Sequence, residues 1–527
     1  HTPDNNPAPA GGWGVGKDGQ LHSGASVNGG TVAARSGAQR RTYRLALAGT
    51  SEWVTAQGGA ALAQAQMVTT ANRVSGIYDK DFFILFTLVA NNNLLMYTNA
   101  TTDPYSNGSA STMLTQNQTA VDGVILSANY DLGHVVGTAS SPNGVAGAIG
   151  NGCVAGSKAR GVSLVGTGSP YDDFFIVDYV AHEMGHQMGG RHIFNSCSGS
   201  QGDSSTLAVE PGSGSTIMSY AGICPSSTPN AGDNLQPHND DYFNAINIDQ
   251  IVAYTTSGGG GFACAATSAT GNNPPSGISA GSDFAIPPST PFVLTATGTD
   301  PDGNALTWCW EQADGGTARS LSTTTTTSGP IVRSYLPTSS PSRMFPNLVN
   351  LLNNTSDPEN LLPAVARTMN FRVVARDNLG GVWDDAMVLT VSGTTPFSVT
   401  APNTAVTWSG AQTVTWNAAG TTAAPFNVAN VRILGSTDGG NTWPHVLAAS
   451  TPNDGSQLVT LPNVASTQAR IKVEAIGNIF FDISNVNFTL QTTTPLVNLT
   501  QGTVSLSDTL PNGNSNGRAD PGENNLN

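Results

Sequence analysis

The stretch His182-Glu183-Met184-Gly185-His186-Gln187-Met188-Gly189-Gly190-Arg191-His192 fits the pattern H-E-x-x-H-x-x-G-x-x-H at every fixed position, and the rest of this 527-residue chain can be read outward from it. On a helix, His182 and His186 stand four residues apart, so both imidazoles leave one face and can share one Zn2+ about 2 Å from each nitrogen. Glu183 lies beside them, free to act on something other than the metal. Six more helical residues would carry His192 away from that ion, so the chain must turn, and Gly189 or Gly190 turns it at little steric cost. Three neutral nitrogens leave a fourth position for water. The metal lowers the pKa of that water towards about 7, and Glu183 can take its proton as it attacks a peptide carbonyl.

A bare H-E-x-x-H can also mark only a buried helix with two histidines. Here Gly189 and His192 extend it, and Phe174 to Ala181 form an apolar approach with Asp172 or Asp173 as N-cap. Downstream, 26 residues after His192, Met218 stands in Gly214-Ser215-Thr216-Ile217-Met218-Ser219-Tyr220. With the long motif this looks like the Met-turn of a metzincin, and the resemblance assigns to Met218 the hydrophobic floor beneath the histidines; a lone methionine in a loop is otherwise ordinary packing. Within metzincins the chain resembles secreted bacterial reprolysin-like zinc proteases, through residues 180–187 and 212–224, and the likeness covers roughly residues 41–264. It implies an α/β (α+β) catalytic domain with a twisted, mostly parallel sheet and a zinc helix. It also implies one catalytic Zn2+ on His182, His186 and His192, with Glu183 as general base.

Two positions depart from that family. Ile193 follows the third histidine where reprolysins carry Asp, so a buried partner from that Asp is not expected. Tyr220 matches astacins and serralysins instead, where such a tyrosine can approach zinc and stabilise an oxyanion; a core tyrosine with a satisfied hydroxyl is the competing reading.

Only 10% of residues are charged and lysine is confined to Lys17, Lys80, Lys158 and Lys472, as suits an extracellular chain of β structure and turns. The net charge of −15 argues against nucleic acid or anionic membrane as partner. No stretch reaches the roughly 18 apolar residues of a membrane span. The five cysteines form no C-x-x-C pair and suit disulfides in an oxidising compartment. A bridge from Cys197 to Cys224 would pin the Met218 loop to the end of the zinc loop. The family topology suggests Cys153 with Cys264, and Cys309 is left as a buried thiol, although other pairings stay open.

The length implies about three domains. Residues 1–40 read as an N-terminal arm or propeptide remnant, and the start without Met or signal peptide as a processed product. The catalytic domain, 41–264, has Tyr43, Leu45 and Leu47 alternating as a strand, helical spacing from Ala61 to Tyr78, and a strand over Phe82 to Ala90. A second helix is expected over 111–128, a strand over Leu132 to Gly137, and a last helix near Asn247 to Tyr254. The segment Gly147 to Gly152 is expected to be the rim strand of the cleft, or else a loop. Glycine and proline mark a flexible linker, 265–275. Two all-β immunoglobulin- or fibronectin-like sandwiches are expected at 276–393 and 394–491, then a polar tail or the start of a further domain, 492–527.

Three short motifs remain. Asp300, Asp302 and Asn304 form a candidate calcium turn or a plain Asp-Gly turn. Ser436, Asp438, Gly440, Thr442 and Trp443 match an Asp box, which as a single copy stabilises a hairpin. In the tail, Asn512, Asn514, Asn516, Asp520 and Glu523 have EF-hand loop spacing, with Asn in place of the first Asp. The expected function is a secreted zinc endopeptidase acting on proteins or peptides, its β domains attaching it to substrate, polymer or cell surface. The alternatives are an adhesive protein with the metzincin domain as scaffold, or a restricted peptidase for cell-wall peptides. Retention of Glu183 and all three histidines favours the enzyme.

Overall fold

In the computed structural model, the residues described are 36–197, 200–224, 233–256, 258–321 and 325–493. Alternating apolar residues make β1 (Gln39–Gly49) the centre of the first sheet. It is followed by α1 (Ser51–Ala56), α2 (Ala60–Phe82), β2 (Ile84–Leu88), α3 (Ala110–Val124), β3 (Leu132–Ala139), β4 (Asn143–Ala146) and β5 (Gly161–Gly166). The order is β2-β1-β3-β5-β4, parallel except for β4, which runs antiparallel to β5 at the edge. Met67, Ala71, Val74 and Tyr78 of α2 pack with Tyr43, Leu45 and Leu47 in one core. The expected strand over 82–90 begins later, because Phe82 still closes α2 and Phe83 caps it at φ 56°.

The next helix is built of three joined pieces: α4 (Asp173–Phe175), a π-helical turn over Ile176–Ala181, and α5 (His182–Gln187). Asp172 caps it by accepting from the Phe175 N–H at 3.1 Å. All residues from Phe175 to Gln187 are buried. Among the described residues between Ile193 and Asn244 there is no α-helix and no β-ladder beyond isolated bridges. The chain then forms α6 (Ala245–Thr255).

Of the two readings of residues 147–152, strand or loop, the structure shows the loop. Residues 147–152 form no strand; they fold back onto the end of the zinc-motif helix, Gly150 and Gly152 donating to the carbonyls of His186 and Gln187 at 2.8 and 2.9 Å. The edge is β4 instead. The glycine-rich exit is also not a free tether: β6 (Ala266–Ala269) pairs antiparallel with Gln39–Thr42 of β1. Two disulfides, Cys153–Cys264 and Cys197–Cys224, leave Cys309 as a buried thiol.

Residues 276–391 supply β7 (Ser276–Ser279), β8 (Phe284–Ile286), β9 (Phe292–Thr295), β10 (Thr297–Thr299), β11 (Thr307–Gln312), β12 (Ser342–Phe345), β13 (Arg367–Arg376) and β14 (Val382–Val391). The four-stranded sheet β11-β13-β14-β8 shares its core with the two-stranded ladders β10-β7 and β12-β9. Because side chains alternate along a strand, β13 is buried on both faces. Met369, Phe371, Val373 and Ala375 fill the sandwich, while Arg372, Val374 and Arg376 face the first domain.

The second sandwich has sheets β15-β17-β20 and β16-β23-β21-β18-β19, with β22 beside β21. Its strands are β15 (Ser398–Ala401), β16 (Thr407–Trp408), β17 (Ala411–Asn417), β18 (Asn430–Ser436), β19 (His445–Pro452), β20 (Ser456–Thr460), β21 (Ser466–Ala475), β22 (Phe481–Ile483) and β23 (Phe488–Leu490). The Asp box closes the β18–β19 hairpin: Asp438 accepts from Ser436 Oγ at 2.6 Å and from the N–H and hydroxyl of Thr442 at 3.0 and 2.6 Å.

Candidate active site

The one group of three metal-ligating side chains among the described residues is His182, His186 and His192. Their Nε2 atoms stand 3.1, 3.1 and 2.9 Å apart. His182 and His186 share a helical face, and the turn at Gly189, φ 101°, returns His192 to them. Each Nδ1 is already committed. That of His182 lies 2.6 Å from the Ile217 carbonyl, that of His186 2.9 Å from the Gly190 carbonyl, and that of His192 3.1 Å from Asp203 Oδ1. Carbonyls only accept, so His182 and His186 carry their proton on Nδ1. Asp203 settles His192 the same way: burial would raise its carboxyl, but the hydrogen bond from His192 and the neighbouring Arg191 guanidinium outweigh it and hold Asp203 below the ordinary carboxylate value. Burial also pushes His182 far below, and His192 below, the ordinary imidazole value, so both are neutral.

Three Nε2 lone pairs therefore converge on one point, which is unfavourable unless a cation sits there. Nitrogens about 2.1 Å from a tetrahedral ion would be about 3.4 Å apart, so the observed triangle needs to open by only a few tenths of an ångström to hold zinc. The donor set thus fits the ion.

Glu183 is buried, and burial pushes its carboxyl above the ordinary value. Gly144 of β4 faces it so closely that a Cβ at 144 would lie 2.5 Å from Glu183 Oε1. The rim strand and the acid are thereby neighbours. Met218 is fully buried under the zinc-motif helix, where a Cβ on Gly185 would overlap its Sδ. Tyr220 is half-buried, its ring 4.9 Å from that of His192 and 6.0 Å from that of His182, stacked on Phe194 at 4.2 Å.

Sequence reasoning missed the carboxylates that brace this arrangement. Ile193 packs with Leu207, Val209 and Ile246, and the buried acid comes from Glu210. Glu210 Oε2 accepts from the hydroxyls of Ser219 and Thr216 at 2.5 and 2.8 Å and from the N–H groups of Ser215 and Thr216 at 3.3 Å. Asp178, in the π-helical turn, accepts from the Asn239 N–H at 2.8 Å. The Asn239 side chain in turn brackets Tyr220, accepting from the Ala221 N–H at 3.1 Å and donating to the Ser219 carbonyl at 3.2 Å. Asp203, Glu210 and Asp178 sit in irregular chain or an approach helix, where no periodicity marks them. The one available signal is that carboxylates are scarce in a chain with so few charges.

The candidate calcium turn is otherwise engaged. Asp300 Oδ1 accepts from the N–H groups of Asp302 and Asn304, and the Asp302 carboxylate takes the N–H and side-chain amide of Asn273, fastening the linker. The tail positions Asn512, Asn514, Asn516, Asp520 and Glu523 lie outside the described residues. No helix among the described residues is long and apolar enough to cross a membrane.

Residues 39–255 match the family model described as metallo-peptidase family M12B, reprolysin-like. No curated protein matches the chain. Solved structures that the chain matches include the FN1-FN3 domains of chicken CNTN1, at 13% identity over 43% of this chain and 69% of that one, with TM-score 0.18. Another is the N-terminal Ig1-2 module of the Drosophila receptor protein tyrosine phosphatase DLAR, at 13% identity over 42% of this chain and 100% of that one, with TM-score 0.23.

Proposed function

We propose that this chain, whose residues 39–255 form a reprolysin-like metallopeptidase domain of family M12B, is a secreted zinc-dependent endopeptidase of the metzincin type. The observation that carries the reading is the convergence of three Nε2 lone pairs, with their Nδ1 protons committed elsewhere, beside the buried carboxyl of Glu183. Zn2+ held by His182, His186 and His192 would supply Lewis-acid polarisation of the scissile carbonyl and acidify the attacking water.

The remaining work falls to the protein. Glu183 is the general base: burial, which pushes its carboxyl above the ordinary value, strengthens it as acceptor of the water's proton, which it then passes to the leaving amine. The outer edge of β4 pairs with an extended substrate through backbone hydrogen bonds, and Gly144 keeps that strand close to Glu183. Met218 is the floor under the helix, and Tyr220 is the candidate donor to the developing oxyanion. The two disulfides are compatible with an extracellular setting, and the second sandwich is the candidate for surface or polymer attachment.

Glu183→Ala should keep the fold and one bound zinc per chain while losing cleavage of unfolded protein near neutral pH, by at least about 100-fold. Undiminished proteolysis by the purified variant would sink the mechanism. A broad peptide library in which the wild type binds zinc but cleaves nothing would favour the scaffold alternative.

A further inference from the structure

Among its described residues, the segment between His192 and α6 has to hold the third histidine, Asp203 and Met218 in place without a β-ladder or α-helix of its own. Its partners come partly from another domain. The loop that leaves β11 lies across it. Asn195, fully buried three residues after His192, donates to the carbonyls of Gly316 and Thr317 at 3.0 and 3.2 Å and accepts from the Arg319 N–H at 3.1 Å. The Ala318 N–H donates to Gln201 Oε1 at 3.0 Å, and a Cβ on Gly315 would come within 2.5 Å of the Ser205 carbonyl oxygen. The residues so gripped, 201 to 206, flank Asp203. One step further, buried Asp233 accepts from the Ser196 hydroxyl at 2.6 Å and the Leu321 N–H at 2.9 Å.

The platform behind this loop is fixed to the catalytic domain. Arg372 and Arg376 of β13 pair with Asp249 and Asp81 at 2.6 Å each, and Glu311 of β11 accepts from the Ala245 N–H at 2.7 Å. All of these but Asp249 are buried, and breaking a buried pair of this kind is far more costly than breaking a surface one.

From these contacts we propose that residues 315–321 of the first β domain are a positioning element of the metal centre, holding the 201–206 loop so that Asp203 stays against His192 Nδ1. The proposal rests on the zinc-site reading above. It makes the first sandwich a wall of the catalytic unit, distinct from any attachment role of the second. The path is short: 315–319 to 201–206, Asp203 to His192, His192 to the ion.

The test uses the full chain. In Gly315→Val the side chain wedges the loop away from Ser205, and Asn195→Ala removes the three hydrogen bonds to residues 316–319. Zn2+ affinity is measured by competition with a chromogenic chelator, and hydrogen exchange is followed in peptides covering 192–206 and β13–β14. Both variants should bind Zn2+ about 10- to 100-fold more weakly, the loss usual when the partner of a ligating histidine is disturbed. Exchange should rise over 192–206 and stay slow in β13 and β14, which shows the variants folded. Asp203→Asn should weaken binding likewise, and adding Gly315→Val to it should cost little more. Unchanged affinity and exchange in folded variants would overturn the proposal, and so would losses that add fully in the double variant. Failure of the wild type to take up Zn2+ would instead overturn the zinc reading, and the exchange data alone would then decide whether the loop orders 192–206.

Discussion

Glu210 offers the sharpest test of how this site is held. Its Oε2 takes two hydroxyl donors at 2.5 and 2.8 Å and two amide donors at 3.3 Å, all from Ser215, Thr216 and Ser219, and all four residues are at most 1% exposed. Hydrogen bonds to a charged acceptor contribute about 1.5–3 kcal/mol each, so the two short ones alone represent about 3–6 kcal/mol. The two long amide bonds add less. The Ala variant no longer incurs the desolvation cost of the carboxylate, which offsets part of this, but it strands the hydroxyl and amide donors in a buried site. Allowing the hydroxyls to turn to other acceptors, Glu210→Ala should destabilise the Met218 loop by about 3–5 kcal/mol. Glu210→Gln keeps an acceptor of the same size without the charge and should cost about 1–2 kcal/mol. The assay must be local, because unfolding of a chain with several domains is not two-state. The Tyr220 amide, bonded to the Ser213 carbonyl at 2.8 Å, is the reporter for native-state hydrogen exchange. If its opening free energy falls by less than about 0.5 kcal/mol in Glu210→Ala, or if Gln is as damaging as Ala, the reasoning is wrong.

Two further predictions concern packing and pH. Gly185→Ala should destabilise the zinc-motif helix by about 1–3 kcal/mol because its methyl meets Met218 Sδ, and Met218→Ala in the same chain should recover part of that loss. Fully additive effects on the opening free energies of α5 amides in native-state hydrogen exchange would show that the two do not touch. Glu311 is raised from 4.5 to about 7 by burial, against the opposing pull of Arg376. The folded state then holds a proton that the unfolded state has lost. Its stabilising contribution is full below pH 4.5 and disappears as pH rises through about 7, a loss of up to about 3 kcal/mol. Glu311→Gln should flatten that decline, measured as opening free energies of β11 and β13 amides by native-state hydrogen exchange at pH 5 and 8. Asp482, also raised to about 7 by burial, keeps the remaining slope of the same sign. An unaltered pH profile would count against the shift at Glu311.

The parts legible in the sequence were those with a period or a fixed spacing. Tyr43, Leu45 and Leu47 alternate, α2 repeats at helical intervals, and the histidine spacing placed three nitrogens on one point. What stayed hidden depends on contacts between segments far apart in sequence. The edge strand β4 has only four residues, two of them small, and reads no differently from a loop; the glycine run after it looked more like a rim than it is. The linker pairs with β1 because an edge was open there, and nothing local in Ala266–Ala269 announces a strand. Asp203 and Glu210 act through loops whose shape is set by the partners they hold.

These hidden acids also account for how so irregular a subdomain can carry a precise site. A loop without a ladder leaves backbone donors unmatched, and buried carboxylates are the side chains that accept several at once. Glu210 collects four donors, Asp233 binds Ser196 together with the 320–321 segment, and Asp178 fixes Asn239 beside Tyr220. Each carboxylate thus replaces a short piece of secondary structure. The arrangement favours acids over lysines, because an ammonium cannot accept a backbone N–H, which is consistent with a chain holding 35 Asp and Glu against 20 Lys and Arg. It also follows that added salt should leave the site's geometry nearly untouched, since charges this deeply buried are poorly screened.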